Sequence, residues 1–386
     1  MKKVSIILTY ILILSCITSG CNTQTSLNKK DISGQLDKVC KWQTDHFTYS
    51  TEGSAGFLHD YGIDAWTNAI LYIGLSDWAR TSGNPSRYEW LKDIGNKNAW
   101  KIPDNFGEHP RYGIYHADEL CIGQFYLEMY AVFKDNAMMA SVKNRIDSII
   151  KNPPVEGMQA RNKQKWSWCD ALFMAPPVYI HMARLENDGR NEDSDKYLAF
   201  MHKEFMDTYE HLYDRKNGLF FRDDNYFDKR EANGLKVFWG RGNGWVVAGL
   251  ARILKYMPAD YEHRLFYEDL FVKLVNRLLT LRDENGFWHA SLLDPDSYPS
   301  PETSATALIT YAMAYGVNNG LLDKKAFIPH IEKSWLALTS VIDENGKLGY
   351  VQPIGADPRK VTKDMTAVYG VGAFLIAGNE IYQFAK

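Results

Sequence analysis

The sequence predicts an all-α protein, with helical hairpins closed into a ring as an (α/α)6 barrel carrying short β-hairpin loops. Three observations predict it. Apolar residues recur at three- and four-residue spacing through about twelve separate segments, the signature of helices with one buried face. Three connectors resemble one another: Asp214-Arg215-Lys216-Asn217-Gly218-Leu219-Phe220-Phe221, Asp283-Glu284-Asn285-Gly286-Phe287-Trp288-His289 and Asp343-Glu344-Asn345-Gly346-Lys347-Leu348-Gly349-Tyr350. Finally, acidic, basic and aromatic residues gather just ahead of alternate helical segments.

Taken in order, the chain opens with Met1-Lys2-Lys3 and an apolar run from Val4 to Ile17, the make-up of a signal peptide over residues 1–20. The run ends in Thr18-Ser19-Gly20-Cys21, which resembles a bacterial lipobox and makes Cys21 the candidate lipidation site. Cys16 is a second candidate, and plain secretion with nearby cleavage is the alternative. Either way the body is expected to be exported, as a periplasmic or outer-membrane lipoprotein of a Gram-negative bacterium if Cys21 is acylated. Residues 21–34 are small and polar, as a tether would be. No linker interrupts 35–386, so this stretch is expected to be one domain.

Helices are expected near 35–48, 64–81, 87–95, 118–134, 137–150, 170–186, 193–213, 243–256, 262–282, 303–318, 324–341 and 365–384. Each of the three connectors is an Asn-Gly turn after a helix, followed by a short extended run. Their Asp residues stand 69 and 60 positions apart, which makes the unit a helical hairpin of about sixty residues and leaves room for about six. Six units close into a ring more readily than they stack as an open superhelix, which would need capping repeats.

Composition excludes some partners. Lys and Arg number 44 against 47 Asp and Glu, for a net charge of −3 with no long run of one sign, so nucleic acid is not an expected partner. Beyond the leader only Cys40, Cys121 and Cys169 remain, too few for a disulfide framework, and whether Cys121 and Cys169 pair is left open. The ten His contain no His-Glu-x-x-His, and no phosphate-binding glycine motif is present, so neither metal nor cofactor is expected. The aromatic share of 13% is high, and flat rings serve as platforms for the apolar faces of sugars.

If inner helices alternate with outer ones, the loops before the inner helices share one mouth. These loops hold Asp64-Ala65-Trp66, His116-Ala117-Asp118, Trp166-Ser167-Trp168-Cys169-Asp170, Trp239-Gly240-Arg241-Gly242-Asn243-Gly244-Trp245, Glu302-Thr303-Ser304 and Tyr350-Val351-Gln352-Pro353. Each has an ordinary explanation: Asp170 and Asp118 as N-caps, the glycines as turn formers, the tryptophans as core. Agreement of all the loops points instead to a site.

The set His116-Ala117-Asp118, Trp168-Cys169-Asp170-Ala171-Leu172-Phe173-Met174, Trp239-Gly240-Arg241-Gly242-Asn243-Gly244-Trp245 and Glu302-Thr303-Ser304 resembles glycoside hydrolase family 105, the unsaturated rhamnogalacturonyl hydrolases, and its relative family 88, the unsaturated glucuronyl hydrolases. The resemblance runs from about Leu36 to Phe384. It implies an (α/α)6 barrel and removal of a 4,5-unsaturated uronic acid from the non-reducing end of lyase-generated oligosaccharides, by hydration of the C4=C5 bond. By match to the motif Asp170 is the general acid/base and Asp118 the second essential carboxylate. The resemblance and the residue chemistry together make Trp66, His116, Trp168, Arg222, Trp239, Arg241, Gly242, Trp245 and Thr303 the candidate substrate-binding set. Arg241 would offer its fork to the uronate carboxylate and Trp66, Trp168 and Trp239 would stack on the flattened ring. Arg222 stands where family 105 members tend to have a histidine, which leaves the preferred sugar open. The rival readings are another (α/α)6 carbohydrate enzyme, such as a lyase, an epimerase or a hydrolase of saturated uronosides, and a non-catalytic surface glycan-binding lipoprotein.

Overall fold

A computed structural model describes residues 27–52, 58–102, 114–155, 157–159, 164–187 and 192–386. The expected signal peptide and Cys21 lie outside the described residues. In chain order the elements begin with α1 (Lys29–Asp45), the strand pair β1 (Ser50–Glu52) and β2 (Leu58–Asp60), α2 (Trp66–Ser82) and α3 (Arg87–Lys97). There follow α4 (Ala117–Phe133), α5 (Ala137–Lys151), α6 (Ala171–Met174), α7 (Pro176–Asn187) and α8 (Glu192–Leu212). A second antiparallel pair, β3 (Tyr213–Asp214) and β4 (Leu219–Phe220), leads to α9 (Gly240–Tyr256), α10 (Arg264–Leu279), α11 (Thr303–Asn318), α12 (Lys324–Ser340) and α13 (Val368–Phe384).

Helices α2, α4, α7, α9, α11 and α13 each pack on the next, and α13 returns to α2, so the ring is closed rather than solenoidal. Their composition explains their place. In α11 every residue from Thr303 to Val317 is buried, and α2 is buried from Thr67 to Ala79, as befits helices that are apolar or small all round. The outer helices bury one stripe each, as α1 does with Ile32, Leu36, Val39, Cys40 and Gln43.

Two expectations need correction. Residues 29–34 are not tether: Asn28 accepts a 2.8 Å hydrogen bond from the Asp31 N–H and starts α1 six residues before the expected boundary. The expected single helix over 170–186 is two, because Pro176 and Pro177 have no N–H to continue the ladder of α6. The carbonyls released by that break are held by Gln124 of α4, whose Nε2 donates to Phe173 O at 2.7 Å and Met174 O at 3.3 Å.

The three similar connectors are one device. Asp214, Asp283 and Asp343 each accept backbone N–H bonds from the turn that follows, and Gly218, Gly286 and Gly346 take φ of 66°, 100° and 103°, conformations that favour glycine. Each turn rests on the next outer helix. A Cβ on Gly218 would meet Arg277 of α10, one on Gly286 would meet the Lys333 carbonyl of α12 at 2.8 Å, and one on Gly346 would meet the Lys38 carbonyl of α1 at 2.6 Å. The third contact joins the end of the chain to its beginning.

Candidate active site

The N-termini of the inner helices open on one face, and the charged and aromatic residues ahead of them converge there. Asp170 stands at the N-cap of α6, buried to 9% exposure, and its side chain makes no capping hydrogen bond. The ordinary reason for an Asp at that position is therefore missing. Its Oδ2 lies 3.8 Å from Arg222 Nε and 3.5 Å from the Cys169 thiol. Arg222 is brought there by backbone pairing, since Cys169 N–H donates to Arg222 O at 2.8 Å. Asn243 of α9 fixes the same strand, accepting from Phe220 N–H at 2.8 Å and donating to Phe220 O at 3.0 Å. Burial works against the Arg222 charge, but Asp170 and Asp223 more than offset it and hold its pKa above the usual guanidinium range.

Asp118 lies in the first turn of α4, whose N-cap is His116. His116 Nδ1 accepts the Asp118 N–H at 3.3 Å and lies 4.0 Å from Asp118 Oδ2, while its ring sits 5.0 Å from that of Trp168. Asp118, His116 and Trp168 thus stand together, with Trp168 two residues ahead of Asp170. The neighbouring Glu119 pairs with Arg145 at 3.1 Å, yet burial pushes its carboxyl up to about 7. Burial also raises Asp64.

The other side of the mouth differs from what its sequence suggests. Arg241 is 1% exposed, and its guanidinium donates to Gln352 O at 2.5 Å and Pro353 O at 2.9 Å, so the fork expected to take a substrate carboxylate holds the loop before α13. Trp239 is 2% exposed, donates its indole N–H to Gln352 Oε1 at 3.2 Å and lies under the Arg241 charge at 4.5 Å. Trp245 is fully buried between Trp66 and Phe173, at 6.2 and 4.9 Å, and belongs to the core rather than to a sugar platform. Thr303 donates its hydroxyl to Gly349 O at 2.7 Å and fastens α11 to the last connector. Gly242 faces protein: a Cβ there would stand 3.1 Å from Cys169 Sγ and 3.0 Å from the Trp239 ring. Its bareness lets α9 approach the loop that carries Asp170. Of the four candidate tryptophans, Trp66 keeps the most exposure, with its ring 5.2 Å from Tyr369.

Several residues that organise the mouth were not among the candidates named from the sequence, although Glu302 and Gln352 stand within the quoted loops. Glu302, fully buried, caps α11 and also accepts the Gln352 N–H at 3.0 Å. Tyr369 donates to Gln352 O, sharing that carbonyl with Arg241. Behind α6, Arg252 Nε donates to Gln124 Oε1 at 2.6 Å and pairs with Asp77 and Glu128. An Asn or Gln carries no charge pattern to betray such a role, although Asn243 does sit within the quoted glycine-rich motif. Cys121 and Cys169 are separate buried thiols, each with its pKa raised well above the ordinary value by burial.

A closed six-hairpin toroid with carboxylates and indoles at one mouth defines a glycoside hydrolase of the helical-barrel type. The chain belongs to glycosyl hydrolase family 88, whose model matches residues 35–385. It is similar, at 34% identity across 97% of both chains, to the unsaturated 3S-rhamnoglycuronyl hydrolase of Formosa agariphila. Among solved structures it resembles a glycosyl hydrolase family 88 protein from Bacteroides vulgatus, with a TM-score of 0.80, 28% identity and coverage of 92% of this chain and 99% of that one. A structure described as polysaccharide lyase BACCELL_00875 is also similar, with a TM-score of 0.79, 30% identity and coverage of 92% and 98%.

Proposed function

We propose that the protein removes a 4,5-unsaturated uronic acid from the non-reducing end of lyase-generated oligosaccharides by adding water across C4=C5. The observation that carries this reading is Asp170: a buried carboxyl at a helix mouth, without the capping bond that would otherwise explain it, facing Arg222 at 3.8 Å. The similarity to an unsaturated rhamnoglycuronyl hydrolase over nearly the whole chain supports the substrate class.

In this reading Asp170 delivers a proton to C4, and Asp170 or Asp118 takes a proton from the water whose oxygen bonds to C5. The product is a hemiketal at C5. Its ring C5–O bond breaks to leave a ketone, and the hemiacetal thus formed at C1 then releases the remaining sugar as an alcohol. No nucleophile attacks the anomeric carbon, so the separation of the two carboxyls carries no stereochemical message here. Arg222 steadies the Asp170 carboxylate and presents positive charge toward an anionic uronate. Trp66, the most exposed of the four candidate tryptophans, supplies an apolar face for the flattened ring.

The test is the ultraviolet band of the conjugated enol ether. Incubation with unsaturated oligosaccharides should remove the band with wild type and leave it with Asp170→Asn. A lyase acting on intact glycan would create the band, and a binding protein would leave it unchanged; either outcome overturns the reading. The rate across galacturonyl- and glucuronyl-ended substrates identifies the preferred uronic acid.

The reading extends to location. The charged start, apolar run and Thr18-Ser19-Gly20-Cys21 support export with acylation of Cys21. Labelling with a fatty-acid analogue should mark the wild type and not Cys21→Ala; equal labelling of both would exclude this anchor.

A further inference from the structure

Beside the catalytic mouth, where α1 ends and the last connector enters α13, lies a cavity of about 350 Å³ that the proposed reaction does not use. Its size falls at the lower end of small-molecule sites. Its wall is a two-ring stack: Trp42 and His46, one helical turn apart, lie with centroids 4.6 Å apart and planes within 13°. His46 Nδ1 is 2.7 Å from the Trp42 carbonyl, a bond that fixes the imidazole against the indole. Trp42 is half-buried and His46 exposed, so the stack borders solvent.

The polar lining is more telling. Thr366 Oγ1 is buried with no hydrogen-bond partner. The Gln43 side chain is 4% exposed, lines the cavity, and makes no hydrogen bond among the described residues. The Ser50 hydroxyl and the Asp364 carboxylate line the same cavity from its solvent-exposed rim. Buried polar groups in folded proteins are nearly always paired, and one left unpaired is costly. The partnerless Thr366 hydroxyl and the buried Gln43 amide, with the exposed Ser50 and Asp364 side chains at the rim, mark a place built for a ligand rich in hydroxyls.

We propose that this cavity is a second carbohydrate site, which holds a neutral pyranose residue with its C–H face on the Trp42–His46 stack. The hydroxyls of the sugar would pair with Gln43, Ser50, Asp364 and Thr366. Asp364 sets the class: it accepts hydrogen bonds from hydroxyls and repels a uronate or sulfate. The two sites then divide the substrate by charge, the mouth taking the unsaturated acid through Arg222 and the cavity taking an uncharged sugar of the same or a neighbouring chain. The choice of a glycan ligand rests on the proposed activity, while the existence of a ligand site rests on the cavity alone.

The test uses the full chain labelled with 5-fluorotryptophan and read by fluorine NMR, with the Trp42 and Trp66 resonances assigned from Trp42→Phe and Trp66→Phe. Methyl rhamnoside and methyl glucoside should shift Trp42 saturably, and methyl glucuronide should leave it in place. Thr366→Val and Gln43→Leu should each weaken that binding about fivefold, the worth of one hydrogen bond. Gln43→Leu should keep hydrolysis of an unsaturated disaccharide within about twofold of wild type, as expected of a change outside the mouth. The proposal is overturned if neutral glycosides leave Trp42 unmoved, if the glucuronide shifts it equally, or if both variants bind as wild type. Failure of the hydrolysis assay with the Trp42 titration intact would sink the catalytic reading and leave the second site standing.

Discussion

Asp170 and Glu302 both stand at N-caps of helices that open on the mouth, yet they are used differently. Glu302 accepts bonds from Ser304 N–H, Ala305 N–H, the Ser304 hydroxyl and Gln352 N–H, so its oxygens are fully engaged. Asp170 caps nothing. Two substitutions of equal chemical size should therefore have opposite effects. Asp170→Asn should lower kcat by about 10²–10⁴-fold, the range for loss of a general acid or base, with a smaller loss of stability than Glu302→Gln because Asp223 still pairs with Arg222. Glu302→Gln turns an amide donor toward N–H groups and should cost about 1–3 kcal/mol of stability. Denaturant titration beside steady-state rates separates the two. His181 supplies a pH prediction at the same scale. It is stacked on Tyr256 at 3.8 Å, and burial, opposed by Glu128 and reinforced by Lys255 and Arg252, brings its pKa down to about 3. The unfolded chain takes up this proton near pH 6.5 and the folded chain does not, so stability is lost as pH falls from about 6.5 toward 3, at up to about 1.4 kcal/mol per unit. Glu119 acts in the opposite sense. Its carboxyl, pushed up to about 7, holds a proton in the folded chain that the unfolded chain has released, so stability falls as pH rises from 4.5 toward 7. Removing His181 as His181→Gln should flatten the acid limb of the stability profile, and Glu119→Gln the limb between 4.5 and 7. An unchanged profile in either variant would contradict its assignment.

At the scale of the element, the short α6 is the most consequential piece of secondary structure. It is cut off by Pro176 and Pro177, and its free carbonyls are carried by Gln124, which is itself held by Arg252. Gln124→Leu keeps the size and removes both bonds. It should lower kcat for the unsaturated disaccharide with little change in KM, because α6 sets the angle at which Asp170 meets the ring, and Gln124→Glu should fail to rescue it because a carboxylate cannot donate to Phe173 O. A fall in stability with kcat untouched would show that the contact serves packing alone. The same element shows what a sequence reveals and what it hides. The spacing of apolar residues and the three Asn-Gly connectors made the helices and the ring legible, and the motif around Asp170 made the mouth legible. The proline break was written at 176–177 and still passed for one helix, because the apolar pattern runs through it. Arg241, Trp245 and Thr303 stand within the first two turns of inner helices, near where binding residues would. Only packing reveals that their donors and faces turn inward, to Gln352 and Pro353, to Phe173, and to Gly349.

At the scale of the molecule, the ring depends on how α13 meets α2, the seam between the last and first inner helices. The seam is closed by glycine. A Cβ on Gly372 would fall 2.2 Å from the Ile70 carbonyl oxygen, and one on Gly74 would fall 2.6 Å from the Gly372 carbonyl oxygen, both against backbone that cannot step aside. Gly372→Ala must therefore part the two helices or strain them, at a cost of about 1–3 kcal/mol as for overpacked cores. The position explains why the damage should not stay local. Trp66 at the head of α2 and Tyr369 at the head of α13 lie 5.2 Å apart across the seam, and Tyr369 holds the Gln352 carbonyl that Arg241 also holds. Parting the seam should thus lower stability and activity together. Gly34→Ala is the control: it also adds a methyl within a helix, but nothing lies within 4 Å, and replacing a helical glycine should gain about 0.5–1 kcal/mol. Denaturation midpoints and hydrolysis rates of the two variants decide the matter. If Gly372→Ala is as stable and active as Gly34→Ala, the seam does not govern the mouth, and the site must be held by its loops alone.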